Sequence, residues 1–156
     1  MILAPVAVSM AATFGFTIIL HIRGVKMLAA AAGGGIGWLV YLVLFKVTSS
    51  ATFASFAASL AVGVFSEIMA AAFKSPATVF TVCAIIPLVP GSGIYYTMWE
   101  SIQKNSAKSI SLGIETLFIA GAIAMGLAVS SSVFRIISAA AKPGKRKRPG
   151  RGPRRV

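Results

Sequence analysis

Five runs of about twenty apolar residues, separated by short basic or polar breaks, leave this chain few ways to fold. They extend from Ile2 to Leu20, Met27 to Phe45, Ala51 to Phe73, Pro76 to Trp99 and Ile110 to Ile137. A helix needs ~20 residues to cross the hydrocarbon core of a bilayer, and there every backbone polar group has to find its partner within the protein. At 57% hydrophobic residues, with three acidic side chains in 156, the chain holds more apolar material than a soluble domain of its size can bury. An all-α polytopic membrane protein with about five transmembrane helices is predicted for 1–141. The connections His21 to Lys26, Lys46 to Ser50, Lys74 to Ser75 and Glu100 to Ser109 are too short to hold a folded domain. Arg23 and Lys26 follow the first run and nothing basic precedes it, which suits a retained span better than a signal peptide.

The net charge of +12 would suggest a nucleic-acid partner were it spread over a surface, but eight of the fifteen basic residues lie between Lys142 and Arg155. Proline, glycine and like-charge repulsion make 142–156 read as a disordered tail. Its expected role is to fix topology and touch anionic inner-leaflet lipids, each basic residue contributing on the order of 1 kcal/mol; without interleaved aromatic residues, no nucleic-acid partner is expected. With the N-terminus outside, the inner side collects Arg23, Lys26, Lys74, Arg135 and the eight tail residues, against Lys46, Lys104 and Lys108 outside. The positive-inside rule therefore predicts N-out and C-in. A four-span arrangement with the third and fourth segments re-entrant is the minor alternative. The single Cys83 excludes an intramolecular disulfide, and no Cys/His spacing suits a metal. No cofactor, metal or enzymatic activity is expected.

The fourth run is interrupted. Pro87 cannot donate to the carbonyl of Cys83, nor Pro90 to that of Ile86, so two backbone acceptors lose their helical partners. Gly91, Ser92 and Gly93 can then open a second half-helix, whose first N–H groups are unpaired and carry the positive end of its dipole. A helix broken inside a membrane is a candidate solute or ion site. The expected roles are reception of a carboxylate by the N–H groups of Gly91 to Ile94, acceptance from an ammonium group or water by the carbonyls of Cys83 and Ile86, and lining of the pathway by Tyr95. The competing reading is a kink that only packs helices. Tyr95, Tyr96 and Trp99 read first as an interfacial aromatic belt at the outer end of the run, and Tyr95, closest to the break, is the one of the three that can line a pathway.

Small residues mark the helix contacts. Gly33 and Gly37 form a small-xxx-small pair in the second run, and Ser55, Ser59, Gly63 and Glu67 follow at steps of four in the third. Ala122 and Gly126 each fall within about 20° of Glu115 around a helix. Ionisable groups inside a span are costly, so Glu67 and Glu115 are candidates for coupling to a proton or for substrate contact. The alternative is an ion pair or hydrogen bond at a subunit interface. Glu67 lies about 9 Å along the helix from Phe73, toward the inner surface, and Glu115 lies toward the outer one. The acids thus sit toward opposite surfaces, and the break reads as one wall of a site completed by another subunit.

The segment Ile85-Ile86-Pro87-Leu88-Val89-Pro90-Gly91-Ser92-Gly93-Ile94-Tyr95-Tyr96-Thr97-Met98 resembles the signature of the threonine/serine exporter family, in particular its small YjjB-type membrane subunit. The basic pair after the first run, Ser75-Pro76 ahead of the fourth, a last run rich in glycine and alanine and the basic C-terminus continue the likeness. The resemblance implies an exporter subunit that works with a larger YjjP-type subunit bearing a cytosolic domain, in the bacterial inner membrane. Homo-oligomers are a further expectation. It implies threonine and serine as substrates, with dicarboxylates such as succinate as the alternative, and no catalytic residues. Members commonly carry a polar residue after the acidic position of the last span, where this chain has Phe118-Ile119-Ala120. No ATP-binding motif occurs, so coupling to an ion gradient is expected. A scaffold that assembles a partner without transporting is the competing class.

Overall fold

The computed structural model describes residues 3–140; the basic tail predicted at 142–156 lies outside them. The helices are α1 (Leu3–Ile19), α2 (Val25–Thr48), α3 (Ala51–Phe73), α4 (Ala77–Ile85), α5 (Gly91–Ile102) and α6 (Ser106–Ala140), with a 3-10 turn, Ile86–Leu88, between α4 and α5. Among the described residues there is no strand. Helices α2, α3 and α6 are each long and apolar enough to cross a membrane, and the bent pair α4–α5 makes a fourth candidate span. The 17 residues of α1 extend about 25 Å, short of the ~30 Å core. The expectation of about five spans is therefore approximate in number, while the all-α polytopic class holds. Helix α6, with 35 residues, is about 52 Å long and outruns the hydrocarbon core.

Tight turns make neighbours antiparallel. Helix α2 closes on Ser49 in the left-handed region (φ 53°), whose N–H donates to the Phe45 carbonyl. Ser50 then caps α3, its side chain accepting from the Phe53 N–H. Lys74 (φ 48°) closes α3 in the same way, its N–H donating to Ala70. These caps satisfy carbonyls that a helix end leaves free.

Large apolar side chains face outward and small or hydroxylated ones face inward, the reverse of a water-soluble bundle. Leu3, Val47, Leu117 and Phe118 are among the exposed residues, whereas Ser9, Thr13, Thr17, Ser55, Ser59, Ser66, Thr116 and Ser130 are buried. Lipid tails are as apolar as leucine, so close backbone approach, not removal of leucine from water, drives helix association. Most of the buried hydroxyls donate within their own helix: Thr13 to the Ser9 carbonyl at 2.8 Å, Ser59 to Phe56 at 2.8 Å and Thr116 to Leu112 at 2.7 Å.

Helix α2 is the hub because its glycines admit three neighbours. Gly34 and Gly35 receive Thr13 and Met10 of α1, Gly33 faces Phe65 and Ala84, and Gly37 faces Val62 and Leu88. Ser9 adds a bond between helices, donating to the Gly34 carbonyl at 3.0 Å. The predicted ridge on α3 holds for Ser55, Ser59 and Gly63, which are buried; Glu67 is half-buried. Helices α3 and α6 are parallel and mesh reciprocally, Gly126 taking Ser59 while Gly63 takes Ser130. Ala58, Val62, Ala84, Leu88 and Ile123 form the core where these helices meet.

Candidate functional site

The break has a definite shape. After Ile85 the chain tightens into the 3-10 turn, turns at Pro90 and restarts as α5, bent 47° from the preceding axis. The Val89 N–H donates to the Ile86 carbonyl at 3.2 Å and the Gly91 N–H to the Val89 carbonyl at 2.7 Å. The Ile94 N–H donates to Pro90 at 3.2 Å. Of the N–H groups from Gly91 to Ile94, those of Ser92 and Gly93 therefore have no backbone acceptor, and they form the positive end of the 12-residue α5.

Helix α5 continues onward from the break and lies antiparallel to the first part of α6. Gly93 packs on Thr116, a Cβ at Gly113 would stand 3.3 Å from Thr97 Cγ2, and Ser109 donates to the Thr97 carbonyl at 2.9 Å. At the far end Lys108 pairs with Glu100 at 2.6 Å, and Asn105 donates to the same carboxylate at 3.1 Å. This seam sets the broken segment opposite Glu115.

A cavity of about 270 Å³ lies at that junction, near the small end of the ~300–1,000 Å³ typical of ligand sites. Pro87, Leu88, Val89, Pro90, Ser92 and Gly93 line it from the break, Trp38 and Tyr41 from α2, and Ser55 from α3. Tyr96 of α5 and Leu112, Glu115, Thr116 and Ile119 of α6 complete the wall. Leu88 also belongs to the central core cluster, so one side of the cavity is tightly packed. Ser92 and Gly93, whose N–H groups have no backbone acceptor, line the cavity together with Glu115 of α6. Among the lining residues there is no lysine or arginine.

Not every residue expected at the break lines this cavity. Pro87, Pro90, Ser92 and Gly93 do. The Ile86 carbonyl accepts from Val89 as described, and Gly91 opens to free space, with nothing within 4 Å of an added Cβ. Cys83 is fully buried with Ala30 and Phe80 in a second apolar cluster. Tyr95 is 58% exposed and stacks on Trp99 at 6.4 Å; its neighbour Tyr96 lines the cavity instead. Glu67 lies about 18 Å from Ser55 along α3 and takes no part in this lining. Glu115, placed by position alone toward one membrane surface and away from the break, shares the break's cavity, because α5 bends and folds along α6.

Trp38, Tyr41 and Thr116 are functional candidates that the linear reading did not single out. The available signal was aromatic spacing: Trp38 stacks on Tyr41 at 5.3 Å and Tyr41 on Phe45 at 5.8 Å, making one aromatic stripe along α2. A larger groove of about 710 Å³ runs between α3 and α6 past Phe53, Phe56, Leu117, Phe118 and Met125. It is open and apolar, as a surface facing lipid tails would be, and lacks a titratable group. Among the described residues no cluster of His, Cys, Asp or Glu could hold a metal ion.

A protein of Haemophilus influenzae, described as uncharacterized, is 27% identical over 128 residues, which cover 77% of this chain and 43% of the relative. The chain thus spans about two fifths of the length of the curated relative it matches. No solved structure matches it. The family model "Threonine/Serine exporter, ThrE" matches residues 5–133, taking in every element from α1 to most of α6, and on that match this multi-pass membrane protein belongs to the threonine/serine exporter family.

Proposed function

We propose that the chain is a membrane subunit of a secondary exporter for threonine and serine, and that the cavity between the broken helix and α6 is part of its substrate site. One observation carries the reading: Glu115 lines the same cavity of about 270 Å³ as Ser92 and Gly93, whose N–H groups have no backbone acceptor. An α-amino acid presents a carboxylate and an ammonium group a few ångströms apart, which suits a lining that includes both a carboxylate and the start of a helix. The hydroxyls of Ser55, Ser92 and Tyr96 are at hand for a hydroxylated side chain. A dicarboxylate would bring its second negative charge toward Glu115 with no lining cation to meet it, which disfavours the succinate reading.

In this reading a larger YjjP-type subunit completes the pathway, and the chain sits in the bacterial inner membrane with its N-terminus outside and its C-terminus in the cytoplasm. The basic tail holds the inner leaflet. Glu67, half-buried and outside the cavity, either accepts the coupling proton or meets the partner. In proteoliposomes holding this chain with its copurifying subunits, efflux of labelled threonine should exceed that of succinate. Glu115→Gln should lower threonine efflux by tenfold or more at unchanged insertion. Succinate efflux that exceeds threonine efflux, or a fully active Glu115→Gln, would refute the assignment.

A further inference from the structure

Helices α1 and α3 stop, and α2 and α4 start, at one end of the bundle. Arg23 precedes α2, Lys26 lies in its first turn, and Lys74 stands three positions ahead of α4. Arg23 and Lys74 are exposed and Lys26 is half-buried. Among the described residues none of the three joins an ion pair; the pair formed by Lys108 and Glu100 lies at the opposite end. Glu67, the acid nearest this end along α3, is about 9 Å inside it. The two basic turns are neighbours, because Ile22 of the first and Phe73 and Val79 beside the second pack on one cluster of Ala30, Phe80 and Cys83. The backbone adds to the positive field. Neither α2 nor α4 has a side-chain cap or an acid in its first turn, and the Ser75 hydroxyl ahead of α4 donates to the Phe73 carbonyl at 3.1 Å instead. Helix α3, which starts at the other end, is capped by Ser50. Cations without a counter-charge thus stand beside two uncapped helix starts.

We infer that this end of the bundle is a binding surface for anionic phospholipid, with a headgroup phosphodiester held between the two turns by Arg23, Lys26 and Lys74. Charge complementarity sets the sign of the ligand, and placement makes it a lipid. The cations flank α2 and the α4–α5 pair where these candidate spans begin, which is the level of the headgroups. Val25, 66% exposed, stands beside them, so a molecule with a phosphate and an acyl chain meets both kinds of surface. An arginine fork fits phosphate oxygens and a lysine adds a point charge. A phosphate bridging the turns ties α2 to α4, whose far end carries the break. This surface lies apart from the cavity and stands whether or not the exporter reading does. A lipid with a net negative headgroup, such as phosphatidylglycerol, should occupy it about tenfold or more in preference to the zwitterionic phosphatidylcholine.

The test uses the full chain in phosphatidylcholine nanodiscs that contain a minority of phosphatidylglycerol bearing a photoreactive headgroup. Crosslinks mapped by peptide mass spectrometry should concentrate in 21–26 and 74–78, and a phosphatidylcholine probe with the same photoreactive group should show no such concentration. Crosslinks confined to the basic run 142–156, or an equal map from both probes, overturn the inference. Arg23→Gln combined with Lys74→Gln takes one cation from each turn and should lower labelling of the two turns by about tenfold or more. Lys46→Gln combined with Lys104→Gln makes the same change in net charge at the opposite end and should leave that labelling in place. An equal loss in both pairs would mean that bulk charge suffices, and overturns the inference. Excess inorganic phosphate should not displace the lipid probe; displacement would assign the surface to a soluble anion and overturn the lipid assignment. The wild-type crosslink map decides the matter even if a variant fails to insert.

Discussion

Two glycines five positions apart on α6 provide a matched test of how the bundle is held together. A Cβ added at Gly126 would run into Ser59 Oγ and stand 2.6 Å from the Phe56 carbonyl oxygen and 3.1 Å from the Leu60 nitrogen. Two of these neighbours are backbone atoms of α3 and cannot rotate aside. At Gly121 nothing lies within 4 Å. In both places glycine to alanine favours the helix by about 1 kcal/mol, so this contribution cancels when the variants are compared. What remains is the overpacking cost at Gly126, typically ~1–3 kcal/mol for added carbon in a full site. Gly126→Ala should therefore be less stable than Gly121→Ala by about 1–3 kcal/mol, or roughly 3–10 °C in Tm for a domain of this size. Thermal unfolding of the full chain in one detergent, followed by circular dichroism, measures the difference. Equal midpoints, or Gly126→Ala the higher, would refute the account of the α3–α6 seam.

The same geometry separates two glycines at the break. Gly93→Ala should force α5 off Thr116 and reduce export by tenfold or more, whereas Gly91→Ala, with open space around it, should transport at close to the wild-type rate; efflux assays on both decide it. Glu67→Gln should flatten the pH dependence of export if that residue takes the coupling proton, and an unchanged pH profile of efflux removes it from the mechanism. In a Cys83→Ala background, membrane-impermeant thiol reagents added outside intact cells should label Lys104→Cys and leave Lys74→Cys untouched; the reverse pattern would invert the proposed orientation. The native Cys83, fully buried, should resist those reagents until the protein is denatured.

Much of this protein is legible in its linear order. Runs of about twenty apolar residues divided by charge settle membrane insertion and the helical class, since unsatisfied backbone is intolerable in hydrocarbon. Pro87 and Pro90 determine by covalent structure where the fourth helix stops, and glycine or serine at every fourth position marks the faces where helices touch. The packing confirms these faces at Gly33, Gly37, Ser55, Ser59 and Gly63. Tertiary structure alone decides which side chains meet across the break. Position along one helix places Glu115 far from the prolines, but the 47° bend and the seam of Gly93 on Thr116 bring it to the cavity. That bend also leaves the N–H groups of Ser92 and Gly93 free while engaging those of Gly91 and Ile94. Trp38 enters the site because Gly37 lets α2 approach Leu88, a contact between residues about fifty positions apart. Periodicity records the face on which a residue lies, and only the crossing of helices decides its depth and its partners.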